Sequence, residues 1–214
     1  MDVISAIALT LGIGWASGIN LYAAVFMLGL LANTGHLELP PDLAVVQDPM
    51  VLFAAGAMYC VEFFADKIPG VDTGWDTFHT FIRIPAGAVL AAGAVGELGQ
   101  AAELAALIVG GTLAAGSHFT KAGSRVVINT SPEPFTNVAA SLTEDVMVVG
   151  GLWAALHHPW AFLVFLAGFI ALAIWLLPKI LRGIKRVALS ISALIRREGD
   201  SPTAPPPPPA TDAG

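Results

Sequence analysis

Two polar stretches in an otherwise apolar chain hold most of the side chains able to do chemistry. Residues 66–85 carry Asp66, Lys67, Asp72, Asp76, His79 and Arg83; residues 118–145 carry His118, Lys121, Arg125 and Asn129 ahead of a Thr-Ser-Pro-Glu-Pro turn, then Glu144 and Asp145. Arginine matches a carboxylate or phosphate with two parallel hydrogen bonds. Lys67, Arg83, Lys121 and Arg125, with Asn129, His79 and His118 as further donors, therefore form a candidate set for holding an anionic substrate. Asp66, Asp72, Asp76, Glu144 and Asp145 form the opposing set, able to pair with those bases, to carry protons or to hold a cation. A carboxyl taken out of water holds its proton more tightly, as proton coupling requires. Glu144 and Asp145 are neighbours, so on a helix they point about 100° apart and face different partners instead of forming a dyad. The plainer reading of the same residues is a set of buried salt bridges that fix helix ends, together with ordinary loop charges.

The setting of these residues gives them weight. Hydrophobic residues make up 56% of the chain and charged ones 12%, with a mean hydropathy of +0.74, whereas soluble domains carry about 25% charged residues. An all-α polytopic membrane bundle is expected, since 214 residues accommodate about six spans of ~20 residues with short loops and no sizeable soluble domain. At membrane depth an ionisable side chain costs about 2.5–3.5 kcal/mol, so by default it faces a protein interior or a watery cavity. The net charge of −6 does not signal an acidic partner surface, because the acids are spread over several loops while the bases gather at one end. The single cysteine, Cys60, excludes an internal disulfide; in an apolar run it reads as a small buried hydrophobe. Asp2 stands where a secretory leader would carry a base, and the apolar run behind it is too long for a leader core, so no cleavable signal is expected.

Residues 3–32 contain no charge, and as a straight helix they would outreach a ~30 Å hydrocarbon core. The segment must tilt, protrude or break. Its cluster of Gly12, Gly14, Ser17, Gly18 and Asn20 suits either an interrupted helix whose freed backbone lines a site or close helix packing through small residues, and close packing is the more economical of the two. Residues 34–49, with Glu38, Asp42 and Asp48, form a loop; a second span covers 50–65 and meets Glu62 near its end. Residues 66–85 read as a polar connection holding a short amphipathic or re-entrant segment, with Trp75 at the interface. Two small-residue segments, 86–96 and 104–116, supply the third and fourth spans, 138–156 the fifth and 160–177 the sixth. His157, His158 and Pro159 make a tight turn between the last two, and no metal site is assigned to the paired histidines.

Beyond Pro178, the residues Ile180, Ile184, Val187, Ile191 and Leu194 recur at alternating spacings of four and three, one apolar helical stripe. Lys179, Arg182, Lys185, Arg186, Arg196 and Arg197 accompany it. Such a helix is expected to lie on the anionic cytoplasmic leaflet against anionic lipid headgroups. The organisation is thus a transmembrane bundle over residues 1–178, a basic amphipathic interfacial helix over 179–198 and a disordered proline-rich tail over 199–214. All ten Lys and Arg residues fall in the second and fourth connections or after the sixth span, the positive-inside pattern for six spans with both termini cytoplasmic. The two basic connections also share an order: Phe64, Lys67, Gly70, Asp76, Phe78 in one and Phe119, Lys121, Gly123, Glu133, Phe135 in the other. An internal inverted repeat of three spans each is one explanation, although the two connections occupy mirror-related places in such a scheme.

Four motifs carry a family resemblance. Glu62-Phe-Phe-Ala-Asp66-Lys67-Ile-Pro69-Gly70-Val-Asp72, Arg83-Ile-Pro85-Ala-Gly87, Lys121-Ala-Gly-Ser124-Arg125 with Asn129, and Ser141-Leu-Thr-Glu144-Asp145 together resemble the bacterial integral-membrane family catalogued as domain of unknown function 4126. The resemblance covers roughly the first 178 residues and implies a multi-pass protein of the bacterial inner membrane; it supplies no substrate. Three function classes follow. The favoured one is a small transporter or channel-like protein, proton-coupled, handling an anionic or lipid-phosphate solute. A non-transporting scaffold or assembly factor comes second. An intramembrane lipid-modifying enzyme comes third, with His79, His118 and the carboxylates as its acid–base groups. The chain has no His-Glu-x-x-His helix, no Gly-x-Ser-x-Gly elbow and no metal-ligand spacing, so no catalytic residue, metal or cofactor is assigned. The expected partners are the lipid bilayer and a small solute or lipid, with a homo-oligomer compatible and no nucleic acid.

Overall fold

A computed structural model describes residues 2–130 and 134–199, and its secondary structure is helical throughout. The elements are α1 (Val3–Asn33), a 3-10 segment (Pro41–Gln47), α2 (Pro49–Ala65), α3 (Val71–Gly93), a 3-10 turn (Gly96–Leu98), α4 (Gln100–Ile128), α5 (Pro134–His157) and α6 (Pro159–Gly199). Val3–Asn33, Gln100–Ile128, Phe135–His157 and Pro159–Gly183 are long and apolar enough to cross a membrane; Pro41–Gln47 with Pro49–Ala65, bent by 65°, brings the number to as many as five.

Local chemistry sets the helix starts. Asp2 accepts a hydrogen bond from the Ser5 amide at 2.7 Å and caps α1, while Asp48 caps α2 through the Met50 amide with Pro49 in the first helical position, where proline's missing N–H costs nothing. In the apolar half of the bundle Trp15 is fully buried and meets Phe162, Phe165 and Phe169 of α6 edge-on at 6.0, 5.3 and 5.7 Å. The glycines of α1 serve close packing: a Cβ at Gly14 would lie 2.8 Å from the backbone of Gly110, and one at Gly18 would fall on Ser117 and the Ala114 carbonyl. Two helices, α1 and α4, thus meet almost backbone to backbone, as small residues in membrane bundles permit.

The interruption falls at the last residue of the cluster, Asn20, whose backbone leaves the helical region (φ −148°, ψ 95°). Both uses anticipated for this stretch are therefore present, with close packing at Gly14 and Gly18 and the break two positions past Gly18.

Several sequence boundaries are corrected. Residues 71–85 are not a connection: α3 begins at Val71 and runs through Pro85 without a break. Likewise α4 continues past residue 116 to Ile128, so His118, Lys121 and Arg125 are helical. The reason is that these charges are buried against one another, which lets a membrane-type helix carry them. The outer face of α3 is apolar, with Phe78 and Phe81 exposed while Asp72, Asp76, His79 and Arg83 point inward. Three of the four bases counted as loop charges are thereby internal, and Lys67 alone remains in a connection. The two connections compared as a repeat differ in structure, Lys67 and Gly70 lying between α2 and α3 but Lys121 and Gly123 within α4; Glu133 lies outside the described residues. Cys60 is exposed, not buried, since α2 turns it outward.

The basic segment after Pro178 is no separate element, because α6 is continuous from Pro159 to Gly199 with Pro178 inside it. Ile180 is buried in the notch left by Gly123 of α4. It is the one member of the apolar stripe whose side chain is described. The tail from residue 200 onward lies outside the described residues.

Candidate functional site

The polar residues of α2, α3, α4 and α5 converge on one buried network. Helical spacing puts them there: Glu62 on α2 and Asp66 at its C-cap, still in helical conformation; Asp72, Asp76, His79 and Arg83 on α3; His118, Lys121 and Arg125 on α4; Asn137, Ser141 and Glu144 on α5 all step by three or four residues, one face of each helix.

Arg83, fully buried, bridges two carboxylates: Nη2 donates to Glu62 Oε1 at 2.7 Å and Nη1 to Asp76 Oδ1 at 2.8 Å. Lys121 Nζ sits at the centre, 2.7 Å from Asp66 Oδ2 and 3.3 Å from Glu62 Oε1, with Asp76 and Glu144 each at 3.7 Å. Its third donor reaches the main-chain carbonyl of Ile19 at 3.1 Å. That carbonyl is available because of the break in α1: Asn20 Oδ1 takes the amide of Ala23 at 2.9 Å, the amide that Ile19 would receive in an unbroken helix. Arg125 grips Glu144 with two bonds, Nε to Oε1 at 3.2 Å and Nη2 to Oε2 at 2.5 Å. Its Nη1 donates to the carbonyls of Asp66 and Asn137, each at 3.0 Å.

The neighbours Glu144 and Asp145 do face different partners. Glu144 belongs to Arg125 and Lys121, whereas Asp145 Oδ1 accepts from Asn20 Nδ2 at 3.3 Å. Asp72 and Asn129 are a tie between helix ends, Asn129 Nδ2 donating to Asp72 Oδ1 at 2.7 Å and to Thr73 Oγ1 at 2.9 Å. Lys67 stands at the edge, donating to the Phe63 carbonyl at 2.9 Å and packing over the Phe63 ring; burial pulls its ammonium below the usual lysine range, with Asp145 and Asp66 opposing.

The bonding places protons on both histidines. The Trp75 carbonyl only accepts, so His79 carries a proton on Nδ1 (2.8 Å), while its Nε2 pairs with Tyr22 Oη, a hydroxyl able to donate or accept, at 3.1 Å. Around His118 the order reverses: Nδ1 faces the donor Arg83 Nη1 at 3.4 Å, so Nε2 carries the proton and donates to Thr80 Oγ1 at 2.7 Å. These tautomers follow from the partners available.

Charge does not balance. Six carboxyl groups (Glu62, Asp66, Asp72, Asp76, Glu144, Asp145) face four cations (Lys67, Arg83, Lys121, Arg125), leaving two negative charges if all are ionised. Buried oxygens of Glu62 (Oε2), Asp66 (Oδ1) and Asp76 (Oδ2) have no donor among the described residues. A carboxyl proton supplies both the missing donor and the missing positive charge. No group of three or more His, Cys, Asp or Glu arranged to hold a metal ion is found among the described residues.

Ion pairs and hydrogen bonds thus join nine of the twelve side chains the sequence singles out; Lys67, bonded to Phe63 and Ser141, and Asp145, bonded to Asn20, stand at the edge, and His79 lies on the same face of α3 but bonds Trp75 and Tyr22. Glu62, Asn20 and Asn137 are members that sequence reasoning left out of the candidate set. Glu62 looked like a stray acid near a span end; its four-residue step to Asp66 was the available signal.

An all-helical bundle with apolar outer faces and a buried ion network is compatible with a membrane protein. A family profile described as a domain of unknown function (DUF4126) matches residues 7–179, and the chain belongs to that family. No curated protein and no solved structure matches the chain.

Proposed function

We propose that this chain is a small proton-coupled transporter of the bacterial inner membrane, with six spans and both termini cytoplasmic. The observation that carries the reading is the surplus of buried carboxyls over cations in a network that also grips a helix break. Unpaired charge at membrane depth is costly, so the network is most stable when about two of its carboxyls hold protons. Interrupted helices that lend backbone groups to an ion site are a recurring transporter device. At 23 residues α3 reaches about 34 Å at 1.5 Å per residue, enough to count as the sixth span despite its inward charges. Anionic headgroups would meet Lys179, Arg182 and Lys185 of the α6 extension. An anionic or lipid-phosphate solute has less support, because Arg83, Lys121 and Arg125 are each already held by carboxylates.

The test is proton flux in proteoliposomes carrying an internal pH-sensitive dye. The intact protein is expected to dissipate an imposed pH gradient, and Glu144→Gln to slow it at least tenfold with the circular dichroism unchanged. Equal rates for the two proteins would overturn proton coupling through Glu144.

A further inference from the structure

The buried network is open to a cavity at one corner. A space of about 210 Å³ lies between α1, α4, α5 and α6, and Glu144 is in its wall. The Glu144 side chain keeps 18% of its surface, against 0–4% for Glu62, Asp66 and Asp76. Asp145 opens elsewhere, onto a groove on the other side of α5 shared with Tyr59 and Phe63 of α2.

The chemistry of the wall selects its occupant. Three hydroxyls line it, and each spends its proton on a main-chain carbonyl: Ser117 on Trp15 at 2.8 Å, Thr120 on Gly116 at 2.7 Å and Ser124 on Thr120 at 2.7 Å. Towards the cavity they present lone pairs, which accept and do not donate. Lys121 also lines it, its ammonium bonded to Asp66 and the Ile19 carbonyl and 3.7 Å from Glu144 Oε2. Arg125 holds Glu144 through both oxygens and Lys121 Nζ lies 3.7 Å from its Oε2, in a network of six carboxyl groups and four cations. The remaining wall is apolar and includes Met147, Phe169 and Leu172. Hydroxyl acceptors, a carboxylate that keeps some exposure and an excess of carboxyls over cations in the network suit a donor cation with an apolar body better than an anion. The volume is below the ~300 Å³ at which drug-sized pockets begin, so the occupant is small.

We infer that this cavity binds a small organic ammonium ion carrying an apolar group. The inference deepens the carrier reading by naming a solute class, but binding itself does not depend on proton movement. An ammonium seated at Glu144 replaces the positive charge that a carboxyl proton otherwise supplies, and that proton leaves to solvent.

Isothermal titration calorimetry on the full-length protein in nanodiscs tests it with three probes of one shape: benzylamine, benzyl alcohol and benzoate. Benzylamine is expected to bind about tenfold or more tighter than either of the others, a difference of one charge-assisted contact. Leu172→Trp, which fills the cavity from its apolar wall and touches no charge, should abolish that binding, and Asp145→Asn, on the other groove, should leave it. Glu144→Gln should weaken benzylamine about tenfold and leave benzyl alcohol unchanged. Equal affinity for the three probes, preference for benzoate, or full binding in Leu172→Trp would each overturn the inference, even with proton flux intact. Selective benzylamine binding without any proton flux would uphold the site and sink the coupled-carrier reading instead.

Discussion

The contact between α1 and α4 is built on two opposed plans. At Gly14 and Gly18 the helices touch through backbone, with Gly110, Ala114 and Ser117 closing every gap. Less than two turns further along α1, the same pair meets through Lys121 and the Ile19 carbonyl, beside a residue that is not helical at all. Close packing at the first contact permits one arrangement, since interiors at this density do not deform continuously. The second contact offers alternatives, because Lys121 has four carboxyl groups within 4 Å. A fixed fulcrum beside an adjustable grip is what a protein needs if its charge state is to move one end of a helix and leave the other in place.

Four substitutions would break or sharpen this contrast. The largest effect is expected from Arg83→Ala, which strands Glu62 and Asp76 in the interior; a loss of about 3–5 kcal/mol is typical of a broken buried pair, measured as reversible unfolding in detergent. If Arg83→Ala instead melts like the parent protein, the adjustable half does not depend on its ion pairs. Gly18→Ala should cost about 1–3 kcal/mol by overpacking, because its Cβ meets the Ala114 carbonyl, which cannot step aside as a flexible side chain could. An unchanged melting temperature there would show that the packed half has slack. Asn20→Ala removes the side chain that caps Ala23 and should cost about 1 kcal/mol. Hydrogen exchange at Ala23 and Ala24 should slow if the helix heals, and unaltered exchange would deny Asn20 its role. The smallest change, within about 0.5 kcal/mol, is expected for Cys60→Ser on the outer face of α2. In liposomes Cys60, exposed on the outer face of a proposed span, should stay unlabelled by a water-soluble maleimide and react after denaturation, and ready labelling in the intact bilayer would place α2 differently.

Much of this architecture was legible in the residues. The apolar spans near 50–65, 138–156 and 160–177 each fall within an observed helix, and the 100° step between Glu144 and Asp145 foretold their separate partners. The boundaries of α3 and α4 were missed because a polar stretch in an apolar chain reads as a connection. The step of four, three and four through Asp72, Asp76, His79 and Arg83 was helical all along, but hydropathy alone counts charge as exposure. Only the partner helices show that these charges neutralise one another and lie inward. Glu62 was passed over for the same reason, its partner Arg83 being 21 positions away. The break at Asn20 was placed within a cluster, not at a residue, since a glycine that bends a helix and one that lets two helices touch are the same letter.

The single-residue interruption of α1 has a mechanical corollary. With its loose amide already taken by Asn20's own side chain, the rod from Leu21 to Asn33 can tilt about that point without unravelling or exposing raw backbone to lipid. Lys121 holds the Ile19 carbonyl and Asp145 the Asn20 side chain, so the break is bonded directly to charged side chains of α4 and α5, with no residue between.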